Sequence, residues 1–240
     1  MGAKINLVLF FCVFSLLVLC LPLSADTITF DGILPNLYDY GPVPQSYEGF
    51  QWQNIAVFYS TGCADEAWGY LNTGYCRFTD ATGMKQMAYM VGQYGKTGIG
   101  VISSDKPFTL NSGLFAASWN NDVVTTVTGY RNGEAVDQTT LFLNTGFDRC
   151  RDYNPTTCLK VDEPFPFDVQ FGWHDIDKIT FQAVGGHSDG VGSVLFPDQY
   201  QANFIIGELN VTRRETPEPA ACVLIGAGVL AFLTCSKRKS

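Results

Sequence analysis

The stretch closest to a catalytic motif is Gly186-His187-Ser188-Asp189-Gly190, which has the Gly-x-Ser-x-Gly spacing of a nucleophile elbow. In serine hydrolases with this elbow, the serine lies on a sharp strand-to-helix turn, and an acid and then a histidine follow it. Here the two histidines are His174 and His187, so none follows Ser188, and Val191-Gly192-Ser193 is a poor start for a helix. The sequence therefore predicts a glycine-rich loop between strands and no catalytic serine.

Acidic residues offer a second route to catalysis, because glycoside hydrolysis uses a pair of carboxylic acids. The chain contains 23 Asp and Glu residues, so pairs at suitable separations would arise by chance. Two histidines give little support to a catalytic metal centre. We therefore expect no catalytic residue and no enzymatic activity, and a secreted hydrolase is the most distant of three functional hypotheses.

Four cysteines lie between the apolar ends of the chain: Cys63, Cys76, Cys150 and Cys158. Four cysteines allow three pairings, and the sequence alone does not choose among them. Local pairing, Cys63 with Cys76 and Cys150 with Cys158, is the simplest, and each bond would contribute about 2 to 3 kcal/mol. A zinc site made by all four thiolates is the alternative, but the paired Cys-x-x-Cys segments typical of such sites are missing.

Aromatic residues in or beside loops suggest a binding role. Flat rings interleaved with Asp and Asn are typical of sugar recognition, although core packing is the other interpretation of the same residues. A carbohydrate-binding module is accordingly the second hypothesis, with surface polysaccharide as its partner. The residues concerned are Tyr38, Tyr40, Tyr47, Trp52, Trp68, Tyr70 and Trp173.

The elements that would position these residues are β-strands. Apolar side chains occupy every second position from Phe165 to Phe171, and the pattern returns from Ile179 to Ala183 on what we interpret as the next strand. Asn132-Gly133, between two Thr- and Val-rich runs, predicts a hairpin because both residues accept a positive φ. About ten such short segments, bounded by Gly, Asn and Asp, predict an all-β fold, an antiparallel β-sandwich.

Two irregularities interrupt this pattern. The apolar positions change parity between Ile206 and Leu209 across Gly207, which predicts a β-bulge. The only predicted helix, residues 64–71, lies inside the loop that a bond from Cys63 to Cys76 would close.

The N-terminal residues 1–25 have the layout of a secretory signal peptide. Lys4 precedes an apolar stretch from Ile5 to Leu21, and Ser24-Ala25 predicts cleavage before Asp26. An uncleaved membrane helix is the alternative, because the apolar stretch is long. Both interpretations place the middle of the chain outside the cytoplasm.

The intervening domain, residues 26–215, is acidic. Four of the 15 basic residues and one of the 23 acidic residues lie outside it, which leaves 11 basic against 22 acidic residues and a net charge of −11. A nucleic-acid backbone would repel such a surface, so we expect no nucleic-acid partner.

The C-terminal residues 216–240 form a tail with three parts. Pro217-Glu218-Pro219 precedes an apolar stretch from Ala220 to Cys235, and Lys237, Arg238 and Lys239 form a basic stop. As a helix the apolar stretch would be about 24 Å long, less than the roughly 30 Å of a bilayer core. We expect a membrane anchor with a weak hold; a permanent single-span anchor is the alternative.

This tail closely resembles the sorting tail of PEP-CTERM proteins, which are exported bacterial proteins. The resemblance implies a sorting protease of the exosortase type as partner, cleavage near Pro217-Glu218-Pro219 and delivery to the cell surface. Looser similarity extends into the domain, at Ile28-Thr29-Phe30-Asp31, Gly49-Phe50-Gln51-Trp52 and Ile176-Asp177-Lys178-Ile179-Thr180-Phe181. The chain departs from the family at Gly207-Glu208, where an Asp-Asn pair is common, and in its cysteine loops.

A jelly-roll fold resembling galactose-binding domains would make the first and last strands neighbours. Asp31 and Glu208 could then hold a structural calcium ion, although two carboxylates form an incomplete shell. We expect no other cofactor. The first functional hypothesis is an exported, surface-directed, non-enzymatic β-sandwich protein of the cell envelope or exopolysaccharide matrix.

Overall fold

The computed structural model describes residues 23–36, 40–63, 73–90, 98–149, 159–160, 165–188 and 202–214. The chain divides into a compact unit, Ala25–Thr212, and a second unit formed by Met1–Ser24 with Arg213–Ser240. Of the second unit, only residues at the start of β1 and the end of β12 are described. The predicted sorting tail, from Thr216 onwards, therefore lies outside the described residues, as does the predicted signal peptide as far as Pro22.

Strands dominate the described part of the chain, which also contains the helix α1, Gly74–Thr82. The strands are β1 Leu23–Ile28, β2 Tyr40–Pro42, β3 Gln51–Gln53, β4 Ile55–Tyr59, β5 Gln86–Met90, β6 Ile99–Ala117, β7 Asn120–Arg131, β8 Glu134–Leu143, β9 Phe147–Arg149, β10 Leu159–Lys160, β11 Phe167–Ser188 and β12 Phe204–Arg214.

One large sheet contains ten of these strands. Its order is β2-β4-β5-β12-β6-β11-β7-β8, with β1 paired to β12 and β3 paired to β6, while β9 and β10 form a separate pair. The strand pairs with a defined register are antiparallel. The predicted all-β, antiparallel fold class is therefore confirmed, and the first strand does lie beside the last.

The two segments interpreted as successive strands belong to the single strand β11, which is 22 residues long. It pairs with β6 from Phe167, opposite Phe115, to Gln182, opposite Ile99. The register shifts between Gln170 and Lys178, where Gly172 and Asp175 have positive φ values of 64° and 55°. The prediction of separate strands was wrong because these bulges have the glycine and aspartate signals of a turn without ending the strand.

The predicted hairpin is confirmed between β7 and β8. Arg131 pairs with Glu134, and Asn132 and Gly133 between them have φ values of 52° and 84°. A two-residue loop with both central residues at positive φ matches the twist of the flanking strands. A register shift one residue into the hairpin, between Gly129 and Tyr130, leaves Val136 as the extra residue of β8.

Two hydrophobic clusters share the strands at one end of the sheet. Alternate residues of β4, β5 and β12, such as Val57, Ala88 and Phe204, belong to the main cluster. The residues between them, such as Phe58 and Ile205, belong to a second cluster with Tyr75 and Phe78 of α1. We call this part of the sheet, together with α1, the covered end, because it is buried on both faces.

The helix α1 differs from the predicted one. It begins at Gly74, beyond the predicted residues 64–71, most of which lie outside the described part of the chain. Tyr75, Cys76, Phe78 and Thr79 are its buried residues besides Gly74, and Gly83 ends it at φ 77°. This spacing, with a glycine at the end, is a helix signal that the sequence analysis missed.

Candidate interaction surface

The outer face of β8, β7, β11 and the N-terminal part of β6, here called the open face, is the main polar surface that the sheet presents. The alternate residues on these strands, including Leu141, Val127, Ile179 and Ile102, are buried in the main cluster. Side chains alternate along a strand, so the positions between them point away from the core. Matched by register, the open face carries Phe142, Val124, Val184; Thr140, Thr126, Gln182, Ile99; Gln138, Thr128, Thr180, Val101; and Tyr130, Lys178, Ser103.

The open face is flat in composition as well as poor in charge. Lys178 is the single charged side chain among these positions, although the chain as a whole has a net charge of −8. From strand and residue spacings the face measures about 14 Å by 20 Å. Such a surface offers hydroxyl and amide groups to a neutral ligand and little electrostatic attraction to an ionic one.

Contacts along the strands hold several of these side chains in place. The Lys178 Nζ lies 4.1 Å from the centre of the Tyr130 ring, which is a cation–π geometry. The Gln138 Nε2 donates a hydrogen bond of 3.1 Å to the Thr128 Oγ1. Beneath this face Gly129 is needed, because a Cβ there would lie 3.0 Å from the Trp173 ring.

The β7–β8 hairpin tip is fastened to the bulged part of β11. The Arg131 guanidinium donates from Nε to the Asp175 carbonyl oxygen at 2.8 Å and from Nη2 to the His174 carbonyl oxygen at 2.7 Å. The Asn132 backbone N–H donates to the Asp177 carboxylate at 2.6 Å. Because these bonds span some 45 residues of sequence, they fix one end of the open face.

The predicted sugar-binding aromatic residues do not form one surface. Trp52 and Trp173 are buried, with exposed fractions of 5% and 8%, so they are packing residues. Tyr47 is half-buried and its hydroxyl donates to the Thr29 carbonyl oxygen at 2.7 Å. Tyr40 is 73% exposed, but on β2, at the other edge of the sheet. Tyr38, Trp68 and Tyr70 lie outside the described residues.

Phe142 is an exposed aromatic residue that the sequence analysis did not single out. It is 69% exposed on β8 and lies in register with Val124. Its position between the buried Leu141 and Leu143 marks it as outward-facing once the hairpin is assigned.

The predicted bond between Cys63 and Cys76 is confirmed. It joins the segment after β4 to α1, and the Cys63 backbone N–H donates to the Asp80 carboxylate at 3.1 Å. Cys150 and Cys158 lie outside the described residues. The residues just before and just after this pair, Arg149 and Leu159, are opposite each other in the β9–β10 pair.

The two residues predicted to bind calcium are placed as follows. Asp31 is exposed just after β1, and Glu208 is half-buried in β12. Burial of Tyr47, then the charges of Glu48 and Asp31, raise the pKa of its hydroxyl above 10.0. Within the described ranges there is no group of three or more His, Cys, Asp or Glu residues that could hold a metal ion. The calcium site stays a prediction.

The Gly-x-Ser-x-Gly stretch begins inside β11. His187 pairs with Asn121 and Ser188 with Asn120, so the glycine-rich loop predicted from residue 186 was wrong for its first three residues. Gly185 and Gly186 have positive φ values of 72° and 90°, which loosen the strand without ending it. Residues 189–200, where an elbow would need a helix, lie outside the described part of the chain.

Comparison with protein-family models and with curated proteins gives no match to this chain. Among the described residues, no helix is both long enough and apolar enough to cross a membrane. The sorting motif Pro217-Glu218-Pro219, the apolar stretch 220–235 and the basic stop Lys237, Arg238 and Lys239 lie outside those residues.

Proposed function

We propose that this chain is an exported, non-enzymatic β-sandwich protein of the cell envelope or exopolysaccharide matrix. In this proposal residues 1–25 direct export, and an exosortase-type protease acts on the tail after Pro217-Glu218-Pro219 has stopped in the membrane. The observation that carries the proposal is the Cys63–Cys76 bond. Structural disulfides persist in oxidising compartments and are rare in the cytosol.

The sandwich itself is part of the proposal. Core residues from the β4–β5–β12 part of the sheet, such as Val57 and Met90, and from the β11–β7–β8 part, such as Phe181 and Val127, belong to one cluster. A sheet that folds over such a cluster forms two packed layers, and the bulges at Gly172 and Asp175 supply the bend. Residues of both parts around one cluster therefore support two layers.

A carbohydrate-binding module is the second candidate, and the open face is the observation that favours it. Neutral polysaccharides present hydroxyl groups and apolar ring faces, which match Gln182, Thr140 and Phe142. The lack of acidic groups removes the repulsion that an acidic polymer would meet elsewhere on this protein.

Localisation tests the first candidate directly. In the native host we expect the protein in the surface or matrix fraction, with Cys63 bonded to Cys76 and with a C-terminus near Pro219 by mass spectrometry. Cytoplasmic protein with free thiols at both positions would overturn export. Surface material that still ends at Ser240 would overturn proteolytic sorting but leave export intact.

Ligand binding tests the second candidate. The unit Ala25–Thr212 contains both hydrophobic clusters and the Cys63–Cys76 bond, so it is the material for a glycan array. We expect binding to neutral polymers that Phe142→Ala weakens at least fivefold, while Tyr40→Ala, at the opposite edge, changes it less than twofold. Equal losses from both variants would place the binding away from the open face.

A chemical probe tests the absence of catalysis. A fluorophosphonate should not label Ser188, and short acyl esters should not be hydrolysed. Stoichiometric labelling of Ser188 that a Ser188→Ala variant abolishes would make the protein a hydrolase.

A further inference from the structure

The two edges of the large sheet differ in length and in protection. The edge strand β2 has three residues, ends in Pro42 and is followed by Pro44. The edge strand β8 has ten residues and contains neither proline nor lysine. Natural sheets guard their edges with short strands, proline or lysine, because free backbone N–H and C=O groups are templates for another strand. By this measure β2 is guarded and β8 is open.

The outer side of β8 is accessible. Gln138, Thr140 and Phe142 are exposed along its regular part, and Val136, the bulged residue, is 43% exposed. No strand in the described part of the chain pairs with β8 on the side away from β7. The edge therefore combines a run of free backbone groups with exposed apolar side chains.

We propose that a second copy of this chain pairs with this edge, so that two β8 strands lie antiparallel about a two-fold axis at Thr140. The segment Asp137–Leu143 is the part of β8 beyond the bulge, and it runs in regular register with β7. Thr140 is its central residue, so this axis pairs all seven residues of each copy with the other. Directly opposite residues in antiparallel strands point to the same face, and here Thr140 meets Thr140 and Gln138 meets Phe142.

The charges of β8 favour its own copy in this register. Its acidic residues are Glu134 and Asp137, both near the N-terminal end. About Thr140 the two Asp137 side chains lie at opposite ends of the junction, about 20 Å apart at about 3.4 Å per residue. An axis at Asp137 would instead place like charges directly opposite each other, which is destabilising. A matching Thr–Thr pair at the centre is a favourable cross-strand contact.

Pairing in this way would join two open faces into one sheet surface of twice the width. The inference does not depend on the proposed function, because it follows from the edge alone. A single strand pair buries less than the roughly 1,200 Å² of stable complexes, so the association should be weak and concentration-dependent.

Cross-linking tests the register. Residues at the axis have Cα atoms about 4.5 to 5.5 Å apart, within the range of a disulfide bond. In the full chain we expect Thr140→Cys to form, on mild oxidation, a dimer whose linked peptides both contain position 140. The matched control is Gln182→Cys, which is exposed on the same face two strands from the edge. Equal cross-linking of both variants, or none for Thr140→Cys, would overturn the proposal.

Association itself is tested by sedimentation velocity on the unit Ala25–Thr212, from about 10 µM to about 1 mM. Weak complexes become populated in this range. We expect a concentration-dependent dimer for the unaltered protein and a monomer for Thr140→Lys, which opposes two ammonium groups at the axis. Gln182→Lys adds the same charge away from the edge and should leave the dimer intact. A monomer at every concentration, or a dimer equally weakened by both lysine variants, would contradict edge pairing.

Discussion

The covered end and the open face are built from the same sheet but use its outer side in different ways. In the covered end, β4 and β5 are apolar on both faces, because one face meets the main cluster and the other meets α1. In the open face, β7 and β8 alternate between buried and exposed residues. The strand β6 belongs to both, with Ala116 under α1 and Ile99 exposed at its other end. Helix coverage concentrates burial at one end and leaves the other for contacts.

Close approach of α1 depends on two glycines. A Cβ at Gly74 would lie 1.8 Å from the Ala117 carbonyl oxygen, and a Cβ at Gly207 would lie 2.1 Å from the Phe78 ring. No side chain fits at either distance. Gly207, read from sequence as the centre of a bulge, thus also makes room for the helix.

The largest expected contrast is between two phenylalanines. Phe78 is fully buried under the covered end, whereas Phe142 is exposed on the open face. Urea denaturation of the unit Ala25–Thr212 should show a loss of about 3 to 5 kcal/mol for Phe78→Ala. Phe142→Ala should change the free energy of unfolding by less than about 0.5 kcal/mol. Similar losses for both would mean that the open face is part of the core.

Removal of the Cys63–Cys76 bond should come next in size. The bond closes a loop with a sequence separation of 13 residues, so Cys63→Ser with Cys76→Ser should lower the free energy of unfolding by about 3 kcal/mol. The measurement is urea denaturation of the double variant beside the oxidised parent. Reduction of the parent should reproduce most of the loss, and an unchanged midpoint would show that the bond constrains little.

A second bond, Cys150 to Cys158, should contribute about 2 to 3 kcal/mol, since its loop is shorter. The opposed residues Arg149 and Leu159 bring the chain together on both sides of this pair. Non-reducing peptide mapping of the secreted protein should find one peptide linkage joining positions 150 and 158. Free thiols there, or a linkage to position 63 or 76, would contradict local pairing.

Tyr47 sharpens the comparison through pH, because it is a half-buried group outside both regions. Its pKa is raised chiefly by burial, so the folded chain keeps this proton after unfolded tyrosines ionise. Its contribution to stability is therefore complete below about pH 10 and is lost as the pH rises through the folded pKa. Tyr47→Phe should cost about 1 kcal/mol at pH 7, by loss of the bond to Thr29, and should flatten the alkaline decline.

The matched control is Tyr40→Phe, because Tyr40 is exposed and should ionise alike in both states. Urea midpoints between pH 7 and about pH 11 check both variants. An equally steep alkaline decline in the Tyr47→Phe variant would assign that decline to other groups.

The smallest effect should come from the open face itself. Lys178→Gln removes the cation above the Tyr130 ring and should cost about 0.5 kcal/mol, the value of an exposed cation–π contact. Lys178→Arg keeps the cation and should retain most of the stability. If both variants lose equally, shape rather than charge holds this pair.

Local patterns determined much of this fold. The hairpin at Asn132-Gly133, the alternation from Phe165 to Phe171 and the bond between Cys63 and Cys76 depend on a few neighbouring residues, and the structure confirms all three. Period-two alternation fixes which side chains share a face, and a two-residue turn fixes its own backbone, without reference to distant parts of the chain.

Only the tertiary structure decided which signals end an element and which side chains are exposed. Gly172 and Asp175 were read as a turn, but pairing with β6 on one side carries β11 through them. Trp52 and Trp173 looked available for a ligand, yet strands distant in sequence bury them, while Phe142 stays exposed because β8 is the last strand of the sheet. Burial and strand order come from contacts between remote segments, and no local pattern encodes them by itself.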